Sequence, residues 1–73
     1  MNLPPRLNLL QLKDGTLYCV GMPVHGMPGS EVVRITRFAT NYDVVTRLPH
    51  PYGEHHALVR PADVLRDSSS PFL

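Results

Sequence analysis

Four histidines and one cysteine are the side chains of this 73-residue sequence best suited to metal or nucleophilic chemistry, and their spacing supports neither. A zinc site needs about four convergent ligands at roughly 2 Å. His50, His55 and His56 gather around Tyr52-Gly53, but neighbouring residues of a strand point to opposite faces, so His55 and His56 do not both reach one ion. They read as exposed imidazoles, with no metal and no cofactor. Cys19 is expected on the packed face of a hairpin, where a thiol behaves as a small apolar group. No Gly-x-Ser-x-Gly elbow occurs, and Asp14, Asp43, Glu54 and Asp63 show no paired arrangement. Gly21, Gly26 and Gly29 are interrupted by Pro23 and Pro28, which remove backbone donors that a phosphate cradle requires. No spacing supplies a nucleophile with a base, so the chain is expected not to be an enzyme.

Binding chemistry is better represented. Of the seven basic residues six are arginines, at positions 6, 34, 37, 47, 60 and 66, and only Lys13 is a lysine. The planar, weakly hydrated guanidinium is favoured at protein interfaces and in bidentate contacts with carboxylate or phosphate. Arg34, Arg37 and Arg47 flank the aromatics Phe38 and Tyr42, a composition that suits an interface hot spot or the stacking of single-stranded bases. The competing reading is that Phe38 and Tyr42 fill a core while the arginines are solvated. The net charge of +1 lacks the general attraction to phosphate on which free-standing nucleic-acid binders depend. Leu3 and Arg6, on either side of Pro4-Pro5, form an extended start suited to docking as an arm.

These side chains must be positioned by strands. Lys13-Asp14-Gly15-Thr16 predicts a two-residue hairpin turn between strands near 8–13 and 16–20. That register sets Leu12 against Leu17 and Leu10 against Cys19, and gathers those four on one face, with Gln11, Lys13, Thr16 and Tyr18 on the other. Residues 21–30, with three Gly and two Pro, read as a loop. Residues 31–38 and 42–48 are rich in β-branched side chains. A three-residue turn through Ala39, Thr40 and a left-handed Asn41 sets Phe38 against Tyr42 and Arg37 against Asp43. Residues 55–60 predict a returning strand with Ala57 and Val59 on one face. Pro61, Asp63 and Arg66 suit one or two helical turns over 61–66.

The expected organisation is an extended arm at 1–7, one small domain at 8–66 and a disordered tail at 67–73, where Phe72 and Leu73 are idle or dock on a partner. The fold class is mainly β, a small antiparallel sheet or a five-stranded SH3-like or OB-like barrel with one short C-terminal helical turn. One core is all that 73 residues can build, and a marginal one. A lone cysteine allows no intrachain disulfide, which favours a reducing interior, and no apolar run has the length of a membrane span.

Over its whole length, from Met1-Asn2-Leu3-Pro4-Pro5 through Leu12-Lys13-Asp14-Gly15 and Tyr52-Gly53-Glu54-His55-His56 to Ser68-Ser69-Ser70, the chain resembles the small transcription regulators of lytic Xanthomonas phages. The resemblance implies a partner, the host's multisubunit RNA polymerase, gripped through its β and β′ subunits in the bacterial cytoplasm. It implies displacement of the σ factor at initiation and promotion of antitermination, with indirect contact to nascent RNA, no membrane, and a monomer when free. Leu3, Arg6, Arg34, Arg37, Tyr42, Arg47 and Tyr52 are the candidate contact residues, chosen by composition. The alternative is a small β-barrel RNA-binding module.

Overall fold

The computed structural model describes residues 3–70 and is mainly β, with seven strands in two antiparallel sheets. Strands β1 (Arg6–Leu7), β4 (Glu31–Arg37), β5 (Tyr42–Arg47) and β6 (Glu54–Val59) form one sheet in the order β1-β4-β5-β6. Strands β2 (Leu9–Leu12), β3 (Leu17–Cys19) and β7 (Val64–Ser68) form the other, in the order β3-β2-β7. The sheets do not close into a barrel. Instead the chain changes sheets at Asn8, whose backbone N–H donates to Ser68 and whose carbonyl accepts from Val20. Its side-chain amide donates to the carbonyls of Ser69 and Ser70 at 3.0 and 2.9 Å.

The apolar faces of the two sheets meet in one core. Leu7, Ile35, Val44 and Ala57 form a row across the four-stranded sheet, and Leu10, Leu12, Tyr18 and Val64 cover it from the three-stranded one. Leu10, Val32, Ile35 and Val44 are wholly buried. Ala57 and Val59 both face this core, as the alternation along β6 predicts.

The first hairpin departs from its expected register by one residue. Leu10 pairs with Tyr18 and Leu9 with Cys19, so Tyr18 packs with Leu10 and Leu12 on the core while Leu17 is exposed. A two-residue turn of the expected kind needs two positive-φ positions, and here only Gly15 has one, at 97°. The Asp14 carboxylate accepts the Thr16 N–H at 2.9 Å, and the loop widens to Lys13-Asp14-Gly15 with Leu12 N–H donating to Thr16. That hydrogen bond holds the Asp14 carboxyl below its usual range.

The middle hairpin is also one residue out. Arg37 pairs with Tyr42 and Thr36 with Asp43, and the Phe38 N–H donates to Asn41 across Ala39 and Thr40. Asn41 is not left-handed, since no residue other than glycine has positive φ among the described residues. A bulge at Val33 resets the pairing so that Glu31 meets Arg47.

The helical turn is shorter than expected. A 3-10 turn covers Pro61–Asp63 and stops because Val64 is extended and the Asp63 carbonyl accepts the Lys13 N–H rather than continuing a helix. Val64 through Ser68 then pair with β2. At the two ends of the chain, Arg6 and Leu7 pair with β4, Leu7 is buried, and Asp67 and Ser68 belong to β7. Phe72 and Leu73 lie outside the described residues.

Tyr42 and Asp67 join the two sheets. The buried Tyr42 hydroxyl donates to Asp67 at 2.8 Å, and Arg37 reaches the same carboxylate oxygen at 3.4 Å. Burial, and then the neighbouring Asp67 carboxylate, push the Tyr42 phenol above its usual pKa, and burial does the same to Tyr18. A phenol whose pKa is higher folded than unfolded contributes stability that is complete below the ordinary value of about 10 and lost as the pH rises through the folded value. Urea midpoints should therefore hold up to about pH 10 and then fall. Tyr42→Phe should lose about 1 kcal/mol at neutral pH, since a partly buried hydrogen bond is removed, and should show a shallower alkaline decline. An unchanged alkaline slope in that variant would show that Tyr42 does not carry the effect.

Candidate partner-binding surface

The outward face of the four-stranded sheet carries most of the candidate cations. Pairing across the sheet places Arg6, Thr36, Asp43 and Leu58 in one row, Arg34, Val45 and His56 in the next, and Glu31, Arg47 and Glu54 in the third. Side chains alternate along each strand, so these three rows share one surface and the apolar rows share the other.

The six arginines differ in what holds them. Arg37 is bonded to Asp67, Arg47 to Glu31 at 2.6 Å, Arg60 to Asp63, and Arg66 donates to Gln11 at 2.8 Å. The side chains of Arg6 and Arg34 have no hydrogen bond or ion pair among the described residues. Both line a shallow cleft of about 150 Å³ whose other walls include Asn8, Val20 and Val33. Two guanidiniums beside Val20 and Val33 suit an acidic side chain followed by an apolar one, because the guanidinium fork donates to both oxygens of a carboxylate.

The other candidates are placed apart. Arg37 lies on the opposite face of β4 from Arg34, beside Tyr42, which is only 8% exposed and belongs to the core. Phe38 is 43% exposed, so the two aromatics divide between core and surface. Leu3 precedes β1 and Tyr52 sits in the loop before β6, both largely exposed, and neither lines the cleft. Arg47 shares the outward face with Arg6 and Arg34 but is tied to Glu31.

One feature of this face escapes the sequence pattern. Asp43 does not meet Arg37; its Oδ2 lies 3.3 Å from His56 Nδ1, while its Oδ1 is buried without a hydrogen-bond partner. The pairing depends on how β6 aligns with β5, which no local motif encodes. His55 and His56 fall on opposite faces, and among the described residues no group of three or more His, Cys, Asp or Glu is placed to hold a metal ion. Among the described residues no helix is long and apolar enough to cross a membrane.

Comparison with protein-family models, curated proteins and solved structures finds no match to this chain.

Proposed function

We propose that this chain is a non-enzymatic regulator of bacterial RNA polymerase that binds the β and β′ subunits, inhibits initiation by displacing the σ factor and promotes antitermination. The identity of the partner rests on the sequence resemblance. The observation that carries a binding role is the pair of guanidiniums, Arg6 and Arg34, without a side-chain partner among the described residues, beside a cleft that Val20 and Val33 also line, on a sheet whose other face is the core. A surface guanidinium beside a carboxylate of its own chain is partly satisfied; one without such a neighbour gains more from a partner's carboxylate. A chain this small displaces a larger factor most readily by holding two subunits at once, since the second contact forms at a high effective concentration.

The decisive experiment is capture from bacterial lysate on immobilised protein, followed by transcription from a σ-dependent promoter with purified holoenzyme. The expected result is co-purification of β and β′ without σ and loss of promoter-directed transcripts. If polymerase is not retained, or σ stays bound while transcripts are unaffected, the proposal fails. Binding of single-stranded RNA in the absence of polymerase, falling steeply with salt, would favour the RNA-binding alternative.

A further inference from the structure

Strand β6 is the edge of the four-stranded sheet and is left open. Its pairing with β5 is regular over all six residues, with no proline and no bulge. The other edges are two residues (β1), three residues (β3), or bulged opposite the Gln11/Leu12 step (β7). Natural edge strands are usually blunted by such irregularities or by lysine and proline. The Leu48 N–H donates to Gly53, so that pair is a hydrogen-bonded one and the pattern alternates from there. Gly53, His55, Ala57 and Val59 therefore direct their N–H and C=O toward β5, while Glu54, His56, Leu58 and Arg60 direct theirs outward. Among the described residues nothing occupies these outward groups except the Arg60 carbonyl, which accepts from Asp63.

We infer that β6 is a self-association edge, which pairs antiparallel with β6 of a second copy about a two-fold axis at Ala57. This inference does not depend on the polymerase reading, and it departs from the free monomer that the resemblance implies. The outward-bonding run from Glu54 to Arg60 is bounded by the turn at Gly53 and by Pro61, and its midpoint is Ala57. Centring the axis there engages every outward N–H of both copies and every outward C=O that is open, the Arg60 carbonyl already accepting from Asp63; sliding by two residues loses a pair. The same register is complementary in chemistry. Glu54 meets Arg60 of the second copy at both ends, His56 meets Leu58, and the small Ala57 meets itself at the closest point of the ladder. Among the described residues Glu54 has no ion pair, and Leu58, 73% exposed, loses solvent contact on pairing. The result is one continuous sheet of eight strands. An edge of this length is at the small end of stable interfaces, so the dimer dissociates in the range of about 10 to 500 μM.

The test is sedimentation equilibrium across that range. The wild-type chain is expected to rise from 8.2 kDa toward twice that mass. Leu58→Pro is expected to stay monomeric: its N–H points away from β5, so the ring removes only an outward donor and blocks the edge. Should that variant misfold by circular dichroism, the charge pair decides. Glu54→Arg and Arg60→Glu should each weaken association at least tenfold, and the double variant should restore it. A wild-type chain that stays monomeric throughout, association untouched by Leu58→Pro in a folded variant, or single charge reversals that change nothing would each overturn the inference.

Discussion

Ile35→Ala should lower the unfolding free energy by about 3 kcal/mol, the loss expected when a fully buried aliphatic side chain is truncated and its surroundings collapse only in part. Ile35 is wholly buried and lies in the row Leu7, Ile35, Val44, Ala57 that spans all four strands of the larger sheet. A domain of this size has a total stability of about 5 kcal/mol, so this one change should leave about 2 kcal/mol and raise the unfolded fraction about 100-fold, to a few per cent. Leu10→Ala attacks the same core from the facing sheet, where Leu10 is equally buried. By contrast Leu65→Ala, at an exposed position on β7, should stay within about 0.5 kcal/mol of wild type. Chemical denaturation of the three variants checks the contrast. If Leu65→Ala unfolds as readily as Ile35→Ala, the assignment of the core is wrong.

The second large effect is on binding. On the proposed function, reversing charge at both Arg6 and Arg34 should weaken polymerase affinity about 100-fold or more, because buried arginines at interface centres are each worth about 2 kcal/mol or more. Neither side chain has a hydrogen bond or ion pair among the described residues, so their replacement removes no polar contact there. Arg66→Glu is the matched control for either single reversal: it changes charge as much as one of them but sits on the three-stranded sheet, bonded to Gln11. Fluorescence anisotropy against purified polymerase, with circular dichroism to confirm folding, separates the outcomes. Equal weakening by the control would point to general electrostatics. Unchanged affinity in the double reversal would remove the cleft from the interface.

Much of the fold could be read from residue type, and the errors have local causes. The Val- and Ile-rich runs at 31–38 and 42–48 are strands, and Ala57 and Val59 face the core. Both hairpins nonetheless slip by one residue, because turn geometry is set by backbone angles that composition only suggests. At the first, Asp14 prefers to bond the Thr16 N–H over adopting positive φ. At the second, a turn without any left-handed residue and a bulge at Val33 trade the expected Arg37–Asp43 pairing for Glu31–Arg47. The second half of the terminal stretch is the largest omission. Asp67 and Ser68 have the composition of a solvated tail, and they are a strand only because β2 is there to receive them. Of the candidate residues, sequence alone suggested Arg6 and Arg34, but not that they flank one cleft. That follows from β1 pairing with β4.

The Asn8 corner bears on the order in which this protein can form. Its amide grips carbonyls 61 and 62 positions further along, and β7 closes over β2 at similar separations. Contacts so remote in sequence carry the largest loop-closure entropy and form late. A nascent chain that has emerged from the ribosome only through Asp63 already holds every strand of the larger sheet, but lacks β7, with Val64, which is one of the two strands paired with β2. Prematurely terminated products should therefore expose Leu10 and Leu12 and be cleared by proteases or clump together, whereas the same chain extended past Ser68 should survive.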